Sequence, residues 1–140
     1  MKFLYHFSRI VFGGWFLYSG LAHFLIAGWQ PLGSHQPAID FTLALMASGL
    51  FTWVKVIEVI LGVTMLANRF MPLTVVALIP LNVVICYWNF VLDPGVVEYA
   101  FGIATIVFNA VLAWMWRGYF WQLFTFKGAP DYSLDPHLRG

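Results

Sequence analysis

The chain has 140 residues, of which 61% are apolar and 9% charged, and its formal net charge is +1. Soluble domains carry about 25% charged residues, so this composition cannot coat a water-facing surface. The few, scattered basic residues argue against a nucleic-acid partner, and the single cysteine, Cys86, excludes an internal disulfide or a cysteine-rich metal centre.

Met1-Lys2-Phe3 opens into an apolar segment that superficially resembles a signal peptide. Signal cores run about 7–15 residues and end at small residues. This one continues to Trp29 with no such site, and it reads as a retained first span over 10–29. A loop follows, broken by Gly33, Ser34, His35 and Pro37, and Asp40 is a candidate N-cap. The stretch 41–67 is longer than one span requires. It is either one tilted helix or a short interfacial helix that bends at Ser48-Gly49 into a second span over 47–67. Asn68-Arg69 is a tight turn, so the third span, 70–92, runs antiparallel to the second. Pro72 sits in the first turn of that span, and Pro80 lies mid-span, where it frees the carbonyl of Val76. Asp93-Pro94-Gly95 is a turn, and the fourth span covers 96–116. Residues 118–140 read as an aromatic interfacial segment and a polar tail. The expectation is an all-α membrane protein, a single domain built as an antiparallel bundle of four transmembrane helices. Lys2, Arg9, Arg69, Arg117, Lys127 and Arg139 all fall at one end, which predicts both termini in the cytoplasm.

Each span carries polar or small residues at helical spacing. These are Gly13, Phe16, Gly20, His23 and Ala27, then Ser48, Thr52, Lys55, Glu58 and Gly62. The third and fourth spans have Asn82, Cys86 and Asn89, and Glu98, Gly102, Thr105 and Asn109. In lipid such stripes turn inward and meet as a polar seam. Lys55 and Glu58, at i and i+3, share a face and can pair. Each charge alone costs about 2.5–3.5 kcal/mol in a span, so neither should face lipid. The pair is either a proton-relay or ligand-binding site, with His23 as its relay, or an ion pair that holds the bundle in register. Asn82, Asn89, Thr105 and Asn109 are candidate ligand-binding groups or, equally, interhelical hydrogen bonds, and the glycines are close-packing positions. His23, Glu58 and Cys86 follow no metal-ligand spacing, so no metal is assigned.

The run Arg9-Ile10-Val11-Phe12-Gly13 through Tyr18-Ser19-Gly20-Leu21-Ala22-His23-Phe24 resembles the opening of the DoxX-like family of small four-span bacterial proteins. Lys55-Val56-Ile57-Glu58-Val59-Ile60-Leu61-Gly62 is similar to that family's glutamate-then-glycine pattern. His23 stands where the family more often has lysine, and the third span lacks a histidine that many members carry. The resemblance implies a bacterial inner-membrane protein; some such relatives are subunits of a thiosulfate:quinone oxidoreductase, and many have no assigned activity. An accessory subunit of a membrane redox system is then expected, binding a quinone or other lipophilic molecule. Glu58 would exchange the proton, His23 relay it and Lys55 tune the carboxylate. No covalent cofactor is implied, and electrons would come from a partner. The alternatives are a non-enzymatic scaffold subunit, with other membrane proteins or a homo-oligomer as partners, and a small oligomeric transporter.

Overall fold

The computed structural model describes residues 1–124 and 128, and those residues are helical or connecting turn throughout. In chain order they form α1 (Lys2–Leu25), α2 (Gln36–Ala47), α3 (Leu50–Ala67) and α4 (Met71–Tyr87). A π-helical turn (Trp88–Leu92), α5 (Val96–Met115), α6 (Arg117–Phe120) and a 3-10 turn (Trp121–Phe124) follow.

Three segments are long and apolar enough to cross a membrane, namely Leu50–Ala67, Met71–Leu92 and Val96–Met115. They match the second, third and fourth expected spans to within a few residues. The first segment differs. Its helix starts eight residues before the expected Ile10 and ends at Leu25, so residues 26–29 lie outside it. At 24 residues α1 has the length of a span. It is absent from the three because its Tyr, His, Ser, Arg and Gly positions dilute its apolar content. The long stretch after the loop is broken at Ser48 and Gly49, where Gly49 turns left-handed (φ 77°), the conformation that glycine adopts without steric cost. Of the two options for 41–67, the structure takes the bent one. The expected aromatic segment is helical as far as Phe124; the polar tail beyond it lies outside the described residues.

α1 and α3 form the most extensive helix pair and run antiparallel. A Cβ on Gly13 would stand 2.8 Å from the Met65 Cβ, and one on Gly62 would stand 2.6 Å from the backbone nitrogen of Leu17. At Gly20 it would meet Val59 at 2.6 Å and the Lys55 carbonyl oxygen at 2.9 Å. Only glycine permits this approach, and in lipid such van der Waals contact replaces the hydrophobic effect as the cohesive force.

The two ends of the bundle are built differently. At the end that carries the N-terminus and the Asn68–Arg69 turn, here the basic end, Phe12, Phe16, Leu61, Met65, Met71, Val75, Leu78 and Leu112 make a continuous core. Arg9 is buried there, and its Nη1 donates to the carbonyl oxygens of Met65 and Leu66 at 2.6 and 2.7 Å, capping the C-terminus of α3. Tyr5 donates its hydroxyl proton to Asn68 Oδ1 and accepts from Trp116 Nε1 at 3.2 Å, joining α1, the turn and the end of α5. Thr74 donates to Thr64 at 2.8 Å, linking α4 to α3. At the opposite, acidic end the helices enclose a cavity.

Candidate functional site

Lys55 stands one turn into α3 and Glu58 one further turn along. Their i,i+3 spacing puts both on the face that meets α1, and both side chains are buried. Lys55 Nζ donates to Glu58 Oε1 at 3.1 Å, to Oε2 at 2.9 Å and to Ser19 Oγ on α1 at 2.9 Å. The ammonium also lies 5.0 Å from the Phe51 ring centroid, within cation–π range. The pair and Ser19 form part of the wall of a half-open cavity of about 820 Å³. A volume in the range of about 300–1,000 Å³ accommodates a drug-sized or cofactor-sized molecule. Aromatic rings make up much of its lining: Trp15 and Phe16 from α1, Phe41 from α2, Phe51 from α3, Trp88 and Phe101. Asn89, Thr105 and Glu98 supply polar groups, and residues 30–34 form a rim.

That rim is held by Asp93, which is 2% exposed. Asp93 Oδ1 accepts from the backbone N–H of Ser34 at 2.9 Å and of His35 at 2.9 Å, and it contacts His35 Nδ1 at 2.7 Å. Oδ2 accepts a longer bond from Ser34 at 3.1 Å. His35 is the N-cap residue of α2 and makes no side-chain cap of its own, so a carboxylate from across the bundle takes over the capping role. Trp88 Nε1 donates to Thr42 Oγ1 at 3.1 Å and ties α2 to the π-helical turn a second time. Burial raises the Asp93 carboxyl, but the hydrogen bonds from the His35 ring and from the backbone N–H groups of Ser34 and His35, with the His35 charge, outweigh it and hold the group below its ordinary value.

The residues singled out from sequence are therefore only partly gathered here. Lys55, Glu58, Asn89 and Thr105 line the cavity. Asn89 Nδ2 donates to the Ile85 carbonyl oxygen at 2.7 Å, and Thr105 Oγ1 donates to that of Phe101 at 2.9 Å. His23 is not on the wall. Its ring packs edge-on against Phe24 and Phe51, both at 5.1 Å, so the imidazole and the Lys55 ammonium share the Phe51 ring as a neighbour. Asn82 is buried and lies off the wall, and neither its Oδ1 nor its Nδ2 has a hydrogen-bond partner among the described residues. The same holds for Asn109 Oδ1. Cys86 Sγ donates to the Gly102 carbonyl oxygen at 3.7 Å.

Sequence reasoning missed three contributors. Ser19 neighbours the Gly20 stripe position, and on a helix face that tolerates both, either can meet α3. In the sequence Asp93 is only part of a turn, although an Asp before Pro-Gly at a span end is also a free capping group. Gln30 belongs by sequence to a loop, yet it lines the cavity. Comparison of the chain with protein-family models, with curated proteins and with solved structures found no match.

Proposed function

We propose that this chain is a small integral membrane protein, its α1 completing a four-span antiparallel bundle with both termini in the cytoplasm, that binds a lipophilic small molecule in the cavity at its acidic end. A quinone is the redox-linked form of that ligand, and in this reading the chain is an accessory subunit of a membrane redox system in a bacterial inner membrane, as its likeness to DoxX-like proteins implies. The observation that carries the reading is the cavity of about 820 Å³ with a buried Lys55–Glu58 pair in a largely apolar wall. Groups that can hold or pass a proton beside an apolar chamber are what a lipophilic ligand with a polar head requires. With His23 turned toward Phe51, the proton-bearing assembly narrows to Glu58, Lys55 and Ser19.

The test is extraction of the protein with its surrounding lipid, followed by mass spectrometry of all small molecules that accompany it. One lipophilic compound per chain is expected, and it should be absent from a Thr105→Phe variant, whose ring fills the cavity while the fold persists.

A second reading has its own support. The Lys55 N–H groups are already directed at Glu58 and Ser19, as befits an ion pair that fixes the register of α1 on α3. A scaffold subunit would come out with a stoichiometric protein partner and no small molecule.

A further inference from the structure

The charged and polar groups of the cavity wall lean toward acceptors. Four of its five N–H side chains already donate a hydrogen bond: Lys55 to Glu58 and Ser19, Asn89 to the Ile85 carbonyl, Trp88 to Thr42, and Gln30 Nε2 to the Pro31 carbonyl at 3.3 Å; the fifth, Trp15, lies against Phe101. Among the buried polar side-chain atoms on the wall, the one without a partner is an acceptor, Gln30 Oε1. The bond from Nε2 to Pro31 fixes which end of that amide faces the orphaned position.

The charges show the same imbalance. Four ionisable side chains line the cavity: Lys55, Glu58, Asp93 and Glu98. Lys55 balances Glu58, and Asp93 is taken up by His35 and the start of α2. Glu98 has neither an ion pair nor a hydrogen bond among the described residues. It is half-buried, and its Oε2 lies over Gly95 in the first turn of α5. That position gains from the helix dipole but leaves the carboxylate without a counter-ion. Glu98, Phe101 and Thr105 follow one another on the cavity-facing side of α5, and the Phe101 ring stands 5.3 Å from Trp15. Indole and phenyl faces beside an uncompensated carboxylate attract a cation.

We infer that the cavity takes a lipophilic amine in its protonated form, with the ammonium at Glu98 and Gln30 Oε1 and the apolar body against Trp15 and Phe101. The inference rests on the proposal that the cavity is a ligand site, and it narrows the ligand. A quinone offers only acceptor oxygens and leaves Glu98 without a counter-ion. A protonated amine supplies the donors and the positive charge that the wall lacks.

The experiment measures binding of 4-phenylbutylamine, of its uncharged analogue 4-phenylbutanol and of a short-chain quinone to the protein in lipid nanodiscs, with empty nanodiscs as blank. Wild type, Glu98→Gln and Thr105→Phe are compared. The amine should bind wild type saturably, about tenfold more weakly to Glu98→Gln, and not to Thr105→Phe. The alcohol should bind more weakly than the amine, and Glu98→Gln should not change it. If amine and alcohol bind alike and Glu98→Gln alters neither, or if the quinone alone binds, the inference falls and the cavity remains a ligand site. If no probe, the quinone included, binds in a manner that Thr105→Phe abolishes, the ligand-site proposal falls with it.

Discussion

The basic and acidic ends of this bundle use the same four long helices to opposite effect. At the basic end glycines draw α1 onto α3, eight apolar side chains fill the space between helices, and Arg9, Tyr5, Asn68 and Trp116 tie off the helix ends. At the acidic end α1 stops at Leu25, the chain passes through a loop and α2, and a volume of about 820 Å³ is left between the walls. Packing density there is replaced by a few directed polar contacts, those of Lys55 with Glu58 and Ser19 and those of Asp93 with the start of α2. Stability and a binding chamber are thus segregated along the bundle axis. A fold with a close-packed half can leave its other half hollow because the close-packed half holds the helices together.

The largest expected effect lies at the boundary between the two ends. Glu58→Leu alone leaves a buried ammonium without its carboxylate, and Lys55→Met alone leaves the reverse; each should lower stability by about 3–5 kcal/mol. The double variant removes both charges and should recover most of that loss. Denaturant unfolding in mixed micelles gives the cycle, and a double variant no more stable than either single one would show that the pair does more than compensate itself. A stable double variant also separates the two proposed functions, since it keeps a scaffold intact and removes the proton-bearing groups of a ligand site.

The contrast in packing predicts a smaller difference. Leu78→Ala, in the core of the basic end, should cost about 2 kcal/mol, the lower part of the range for such truncations because lipid removes some of the transfer term. Leu45→Ala, on the cavity wall, should cost under about 1 kcal/mol because that side chain already borders empty space. Equal losses at the two positions in the same unfolding assay would contradict the division into a packed and a hollow end.

The smallest effect belongs to the rim. Asp93 has a folded value held below its ordinary one, so its contribution to stability is fully present above the ordinary value and is lost as pH falls through the folded one, below about pH 4. Hydrogen exchange should show the Ser34 and His35 amides losing protection in that window, and at neutral pH in Asp93→Asn, while amides of the basic end stay unchanged. Protection at Ser34 and His35 that survives in Asp93→Asn would mean that the rim is held by something other than this carboxylate.

Legibility in the sequence followed the same division. Interactions set by helix periodicity could be read: the i,i+3 spacing of Lys55 and Glu58 anticipates their contact, and Gly13, Gly20 and Gly62 fall where α1 and α3 meet. Apolar length located α3, α4 and α5 to within a few residues. Contacts set by rotation about the helix axis, or by loops, could not. His23 shares its stripe with Gly20, yet a helix face spans a wide arc and the ring turns to Phe51, off the cavity. Asn82 and Asn89 sit two turns apart on one segment and share a nominal helix face, yet only Asn89 reaches the cavity wall. Asp93 and Ser34 are 59 residues apart, and no local pattern links a span-end carboxylate to the start of a helix elsewhere in the chain.

The reliance of α1 on α3 also bears on biosynthesis. α1 is the long helix that apolar content does not single out, and it leaves the ribosome before α3. The helix that buries its Arg9, Ser19 and Gly20 begins only at Leu50. In the four-span arrangement proposed, α1 cannot be released into lipid as an independent segment at little cost. It must linger against the insertion machinery until α3, itself burdened with Lys55 and Glu58, arrives to share its polar face. Two individually reluctant helices would then enter the bilayer as one hairpin-like unit, with α2 as the connection that sets how long the first must wait.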